Sequence, residues 1–544
     1  MLSEIEILIE SRNELIGIIS GLLAKNEELK AKNEELKAIN HRVETQNEQL
    51  EQRLNWVEGQ LYLLRQKRFG ASSERTSALQ GKLFNEAEVI AEEGPAKEEE
   101  LERITYERKK RGRKGLPAEL ARERIVYEIP EQEQICPECG ERMHKMGEEV
   151  RSELNIIPAQ VKVVEHVRIK YGCRNCEKNG GKACIKIAEA PKAVIRKGNA
   201  SPSTIAHVMT AKFVDGVPLY RQEKQLERIG VEISRSVLSD WMLKGSEILE
   251  PVYDAAHEKL VKRNVLHADE TTLQVLKEPG RAAESKSYMW MYRTAARDGP
   301  PIVLYEYQST RSGEHPVKFL CGFSGYLHAD GYAGYNGLCV TTEPGKPHIV
   351  KLCGCWAHFR RKFDEALKAQ PPGKRNEGRA KEAIDIINQL FSIERDLNKG
   401  TPEQRLAVRN EKSRSIVDGI RNWLERLKGE VLPKSLLGAA VTYGLNQWEK
   451  LTRFFEDERI ELSNNLAERS IKPFVIGRKN FLFCNTPRGA KASAVIYSII
   501  ETAKENGLNP YSYLTYLFER LPNIDTTDKA SIDALLPWNV KLPK

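Results

Sequence analysis

Apolar residues return at every seventh position from Leu8 through Leu15, Leu22, Leu29, Leu36, Val43, Leu50 and Val57 to Leu64, and this repeat restricts the fold more than any other feature. Read as heptad position d, it sets Ile5, Arg12, Ile19, Asn26, Asn33, Asn40, Asn47, Leu54 and Leu61 at position a. An apolar seam sustained over nine heptads predicts a coiled coil, a rod of about 90 Å at about 1.5 Å per residue. Four successive asparagines at a are costly in a higher-order bundle but can pair across a two-stranded seam. The pattern therefore predicts a parallel, in-register homodimer. The alternative, an amphipathic helix packed on its own domain, is weaker because the repeat outruns any compact core.

At 544 residues the chain is too long for one further core, so several domains are expected. No apolar run reaches the length of a membrane span. Glu4, Glu6 and Glu10 stand where an export signal would carry positive charge, which predicts a cytoplasmic protein with no membrane partner. Lys and Arg number 85 against 77 Asp and Glu, a surplus that permits a polyanionic partner without requiring one. The cationic residues are unevenly placed. Past the coil, Arg65, Lys67 and Arg68 lead into Phe69-Gly70-Ala71-Ser72-Ser73-Glu74, which breaks the helix, and an acidic stretch follows around 92–102. Then comes Arg108 to Lys114, in which Arg111, Gly112, Arg113 and Lys114 can lie in a narrow minor groove or serve as a solvated linker.

Four of the ten cysteines form two C-x-x-C pairs, Cys136 with Cys139 and Cys173 with Cys176. In a chain without an export signal this favours metal over disulfides, and four thiolates suit one tetrahedral, structural zinc ion. The 33 residues between the pairs must form structure of their own. Val161, Val163, Val167 and Ile169, interleaved with charged residues, predict a β-hairpin and hence a zinc ribbon, with His144 a spare ligand candidate. Redox-active or merely buried cysteines are the alternative. Cys184, Cys321, Cys339, Cys353, Cys355 and Cys484 read as reduced packing residues.

Residues 201–250 read as three short helices. Ser201-Pro202 opens the first, Gly216-Val217-Pro218 separates the second, and Ser234 caps a third containing Arg235, Ser236, Ser239 and Trp241. The layout fits helix-turn-helix recognition or plain packing. Beyond it, Val265-Leu266-His267-Ala268-Asp269 runs from apolar residues into a carboxylate, as where a buried strand emerges at a sheet edge, and Leu327-His328-Ala329-Asp330 repeats its last four letters. Two strand-end aspartates invite one metal site. Strands are expected at 288–294, 302–307 and 317–321. The local pattern alone does not choose a third carboxylate. Glu468 stands out, with cap-forming Ser463, Asn464 and Asn465 before it, because a helix amino terminus keeps a carboxylate ionised. His267, His328 and His358 read as packing or hydrogen-bonding residues rather than ligands.

Asp269-Glu270-Thr271, Ala329-Asp330-Gly331-Tyr332, Cys355-Trp356-Ala357-His358-Phe359-Arg360-Arg361 and Asn464 to Pro473 together resemble the DDE transposases of insertion-sequence family sixty-six. The Phe69 to Glu74 segment, the Arg-Gly-Arg run and the cysteine pairs resemble it too, in the same order, so the resemblance covers nearly the whole chain. The amino-terminal coil is longer than the family's pattern, which leaves the acids untouched and the oligomer open.

The resemblance implies a multidomain α+β protein: coiled coil 1–67, basic and acidic linker 68–120, zinc ribbon 121–190, helix-turn-helix-like region 191–256, ribonuclease-H-like catalytic domain 257–480 with a helical insertion at about 360–460, and helical extension 481–544. It implies that the Asp269 and Asp330 strands are neighbours. It further implies that Asp269, Asp330 and Glu468 hold two magnesium or manganese ions, that water first exposes a 3′-hydroxyl at a transposon end, and that this hydroxyl then attacks target DNA. Arg360, Arg361, Arg469, Lys472, Arg478 and Lys479 would hold phosphates, with Arg235 in the recognition helix. Implied partners are double-stranded DNA, a second or further copies of the chain, and accessory transposition proteins, at the nucleoid. A non-catalytic zinc-containing DNA-binding regulator and a metal nuclease that cuts without joining are the other two readings.

Overall fold

The computed structural model describes residues 2–69, 161–172, 185–339, 350–370, 378–397 and 400–542. Cys136, Cys139, Cys173, Cys176, Cys184, Arg111, Arg113 and Lys114 lie outside the described residues. The chain divides into two compact units, Met1–Pro95 with Pro191–Lys544, and Ala96–Ala190.

Leu2–Phe69 is one unbroken helix, α1, about 100 Å long. Its heptad leucines Leu15, Leu22, Leu29, Leu36 and Leu50 are exposed in the single chain. In the second unit, β1 (Lys170–Gly172) pairs antiparallel with β2 (Ile185–Ile187). The ladder continues through Ala188 N–H to Ile169 O at 3.1 Å, and Arg168 Nε donates to Ala188 O at 2.7 Å. Residues 161–169, expected as part of a hairpin, form no strand and are exposed. Alternation alone does not make a strand, which also needs a paired neighbour, and among the described residues strand pairing begins at Lys170.

The larger unit opens with α2 (Pro202–Phe213), α3 (Leu219–Arg228) and α4 (Arg235–Leu260), the three helices expected. Ser201 Oγ accepts from Thr204 N and Ser234 Oγ from Val237 N, so both polar caps act as read. α4 exposes Arg235, Ser236 and Ser239 in its first turns and buries Leu238, Trp241 and Met242. Its later residues Leu249, Val252, Ala256 and Leu260 pack in the core of the sheet, so one helix belongs to both regions.

Five strands follow: β3 (Val265–Gln274), β4 (Lys286–Thr294), β5 (Val303–Gln308), β6 (Gly325–His328) and β7 (Val350–Cys353). They form a mixed sheet in the order β5-β4-β3-β6-β7, antiparallel from β3 to β5 and parallel from β3 to β7. The segment expected as a strand at 317–321 falls instead largely in helix α5 (Glu314–Phe319). The chain must cross there from one sheet edge past β3 to a parallel neighbour, and a parallel crossover has to leave the sheet plane. The edge strand β5 is covered rather than open: Val303 N donates to Thr502 Oγ1 at 3.0 Å and Tyr305 N to Ser498 Oγ at 2.7 Å, both from α13 (Pro487–Glu505).

Between β7 and the last site element lie α6 (Trp356–Lys368), α7 (Arg379–Asp396), α8 (Pro402–Val408), α9 (Arg414–Glu430), α10 (Leu436–Asn446) and α11 (Trp448–Thr452). They enclose a second apolar core around Trp356, Phe359, Phe363, Trp423, Leu424 and Trp448. The chain returns to the sheet with α12 (Asn465–Phe481), and α13, α14 (Pro510–Arg520) and the short α15 (Lys529–Asp533) complete the first core.

Candidate active site

Side chains on a strand repeat every second residue, so His267 and Asp269 share one face of β3, while His328 and Asp330 share one face of β6 and the turn after it. His267 stands opposite His328 in the parallel register, so the two Leu-His-Ala-Asp segments are lateral copies. Asp330 lies just past β6, but Asp269, expected at a strand end, sits midway along β3, because pairing with β4 carries that strand on to Gln274. Gly331, at φ 92°, turns the chain away directly after Asp330, a conformation that L side chains adopt rarely. Asp330 Oδ1 accepts from Tyr332 N at 3.0 Å within that turn.

The third acid is brought in by α12. Asn464, fully buried at its cap position, holds His267 Nδ1 through Oδ1 at 2.9 Å and donates from Nδ2 to Ala268 O at 2.9 Å. Its backbone N–H donates to Cys355 Sγ at 3.2 Å. Glu468 sits in the first turn of the helix so fixed. From the sheet, buried Arg293 donates to Ser470 Oγ at 2.6 Å and to Glu505 Oε2 at 3.2 Å, and the Tyr305 hydroxyl donates to Ser470 O. The acid on α12 is thus positioned by contacts from β3, β4 and β5.

The electrostatics follow from this crowding. Burial, then Glu270, Asp330 and Glu468 in turn, push the Asp269 carboxyl well above the usual carboxylate range. Glu468 has His358 Nε2 at 3.5 Å and Arg361 Nη2 at 3.6 Å. Burial and the Arg361 guanidinium push His358 down to about 4 against the pull of Asp330, so it is neutral at physiological pH. His328 is likewise pushed down to about 4 by burial, and its ring stacks on that of His267 at 5.1 Å between centroids. The two imidazoles are therefore a neutral layer beneath the carboxylates, bonded to Asn464 and to Glu461 O, in the packing role expected of them.

Glu270 faces the other side of β3, where its carboxylate accepts from Arg311 Nε at 2.8 Å and from the Tyr335 hydroxyl at 2.7 Å. Arg311 stacks on the Tyr332 ring at 3.8 Å, which ties this ion pair to the loop after Asp330.

The cations expected to meet phosphate are not equivalent. Arg361 stands beside Glu468, Arg469 and Lys479 are exposed, Lys472 is half-buried, and Arg478 donates to Thr271 Oγ1 at 3.2 Å and Thr272 Oγ1 at 3.1 Å. Arg360 departs from the expectation. It is 4% exposed and its Nε donates to Asn388 Oδ1 at 2.8 Å, because the helical period turns it inward between α6 and α7. Among the other cysteines, Cys353, Cys355 and Cys484 are buried and reduced as expected, whereas Cys321 and Cys339 are exposed.

The donor chemistry suits hard divalent cations, which take carboxylate oxygens. Buried His358 Nδ1 and Gln447 Oε1 have no hydrogen-bond partner. Among the described residues, no three His, Cys, Asp or Glu side chains converge closely enough to chelate an ion as they stand. The acids share a face and a field without a closed ligand cage. Sequence reasoning missed Arg293 and Arg311, and read Asn464 as a helix cap, whereas its side chain bonds His267 and Ala268 and makes no capping bond. The doubled Leu-His-Ala-Asp could have flagged the histidine layer, but nothing local marks a partner some two hundred residues away.

Comparison with known proteins places this architecture. The pattern described as "Transposase IS66 family" matches residues 197–492, and that of the "zinc-finger binding domain of transposase IS66" matches residues 133–177. The "IS66 C-terminal element" matches residues 498–538, and "Transposase C of IS166 homeodomain" matches residues 56–125. Two proteins of Sinorhizobium fredii are similar along nearly their full length. "Uncharacterized protein y4hP" is 32% identical over 89% of this chain and 88% of its own, and "Uncharacterized protein y4qI" is 32% identical over 90% of both. The matched domains are those of an insertion-sequence transposase with DNA-binding regions. The chain belongs to the IS66 transposase family. Among the described residues, no helix is long and apolar enough to cross a membrane.

Proposed function

We propose that the chain binds the ends of its insertion sequence and cuts and joins DNA at Asp269, Asp330 and Glu468. One observation carries the reading: the three acids lie together, Asp269 midway along β3, Asp330 just past the end of its parallel neighbour β6 and Glu468 in the first turn of the helix packed on them, and Asp269 feels both others. A sheet with three antiparallel strands followed by two parallel ones, completed by a helix bearing the last acid, supports a ribonuclease-H-like catalytic domain. Carboxylates brought together in this way repel one another unless cations lie between them. Asp269, Asp330 and Glu468 would hold two magnesium or manganese ions, whose chemistry is to activate the attacking oxygen and stabilise the leaving one. Asn464 and the histidine layer keep the acids in place. Arg361, the exposed Arg469 and Lys479 and the half-buried Lys472 hold the phosphate backbone, with Arg478 behind them, bonded to the threonines of β3. Arg235 at the exposed start of α4 reads the end, helped by Arg111, Arg113 and Lys114.

Cys136, Cys139, Cys173 and Cys176 hold one structural zinc ion in this reading, supported by the zinc-finger match over residues 133–177. The exposed leucine seam of α1 supports pairing with a second copy. The protein works at the nucleoid in the cytoplasm. The test is incubation with DNA carrying the element's own flanking repeats and magnesium, scored for cleaved and joined products. Cleavage without joining supports the nuclease reading; binding alone, with all three acids intact, supports a regulator.

A further inference from the structure

We propose that Leu482 and Phe483, on the turn between α12 and α13, form an apolar wedge that enters the base stack of duplex DNA beside the active site; this rests on the DNA transposase reading above. Leu482 is 64% exposed and Phe483 43% exposed, two large apolar side chains side by side in solvent. Ile476, on the same helix, is also exposed. Leu482 holds φ at 65°, in the left-handed region, where a bulky non-glycine residue is strained. Such strain persists only where surrounding bonds over-determine the backbone.

Those bonds are present. Leu482 N donates to Arg478 O at 2.7 Å and Phe483 N to Phe481 O at 2.8 Å. Cys484 N donates to Gln274 O at 2.9 Å, Leu276 N to Cys484 O at 3.0 Å, and Lys277 N to Asn485 O at 2.9 Å. The turn is thus stapled to the end of β3 while its two apolar side chains are held outward.

The surroundings identify the occupant. Lys479, at the end of α12 before the turn, and Lys277, whose N–H donates to Asn485 O beyond it, are both exposed. Cations flanking an apolar tip fit a polyanion with an apolar interior, which is a stacked duplex, better than an apolar protein face. α12 also carries Glu468 and runs along β3 in its direction, from Asn464 at Ala268 to Arg478 at Thr272. Gln274, which receives the turn, lies five residues past Asp269, about 16 Å at about 3.3 Å per residue. That spacing corresponds to roughly five base pairs. A duplex held at the acids therefore reaches the turn. Apolar wedges of Leu and Phe unstack base steps when the cost of opening is offset by new contact.

The test compares a short, fully paired DNA duplex with the same duplex carrying two adjacent mismatches, by gel shift with the full chain and by 2-aminopurine fluorescence at the opened step. A wedge binds the mismatched duplex about tenfold or more tightly, because unstacking is already done. It also raises fluorescence in the paired one. The double variant Leu482→Gly, Phe483→Ser should lose both effects while melting no lower than wild type, since glycine adopts the turn without strain. Equal affinity of the wild type for both duplexes, or a preference that survives in the variant, overturns the wedge. A wild type that binds neither duplex overturns the DNA reading itself, a result distinct from loss of the preference alone.

Discussion

In the helical insertion, the guanidinium of Arg409 is fully buried and surrounded by acceptors. Glu394 takes bonds from Nε at 2.6 Å and Nη2 at 2.8 Å, and the carbonyls of Phe454, Asp457 and Ile460 lie at 2.6, 3.1 and 2.9 Å. Midway along β3 the arrangement is reversed: Asp269 is desolvated among Glu270, Asp330 and Glu468, all of its own sign. Both regions take charge out of water, which costs several kcal/mol per ion unless compensated. The first is compensated within the chain, so its role is to hold the insertion together. The second leaves like charges facing one another, which is useful only if something positive arrives. The contrast separates a structural charge from a functional one without reference to motif.

The largest effect expected of breaking this contrast is on activity. Asp330→Asn should lower cleavage and joining of labelled ends by about three orders of magnitude or more, while end binding by gel shift persists. Without metal, the same change relieves repulsion, so urea unfolding should show stability unchanged or slightly higher. Near wild-type joining by this variant would remove the carboxylate site from consideration. Arg409→Leu should do the opposite: it strands Glu394 and three carbonyls, and should cost about 3–5 kcal/mol of stability in urea unfolding. A loss below about 1 kcal/mol would show that the node is dispensable.

Glu306, on the far edge of the sheet, is an intermediate case. It lines a cavity of about 510 Å³ with Tyr253, His257 and Lys491, and burial pushes its carboxyl from the usual 4.5 up to about 7 despite a 2.6 Å bond from Gln308. The folded chain therefore keeps this proton to higher pH than the unfolded chain. Stability from this group is fully present below about pH 4.5 and falls as pH rises to about 7, by up to about 3 kcal/mol. Glu306→Gln should flatten that segment of the stability profile; an unchanged slope would assign the titration elsewhere. The smallest effect belongs to Glu270→Gln. Its partner Arg311 is 41% exposed, so about 1 kcal/mol of stability and little turnover should be lost. A collapse of activity comparable to that of Asp330→Asn would place Glu270 among the metal-holding acids.

Much of the site was legible before folding was considered. The repeated Leu-His-Ala-Asp marks two neighbouring strand segments, of which only the second ends at its aspartate, and Asn464 stands at a helix start although its side chain bonds His267 and Ala268 rather than capping the helix. The helical insertion was expected only from the family resemblance, not from any pattern read in its residues. The failures have equally physical causes. The expected strand at 317–321 is replaced largely by α5, because topology, not propensity, set the crossover. Arg360 reads as a phosphate ligand beside Arg361, yet one helical position turns it into the contact with Asn388.

The sequence by itself determined that two matching strand segments each carry an aspartate and where the first helices of the larger unit begin, since each depends on neighbours along the chain. Only the tertiary structure decided that Asn464 would lock His267, that Arg293 would carry α12 to the sheet, and that Leu482 would be held outward in a strained turn. These depend on groups up to about two hundred residues apart meeting at hydrogen-bond distance. No local pattern encodes such a meeting; it is fixed only when the sheet has closed and the helices have packed across it.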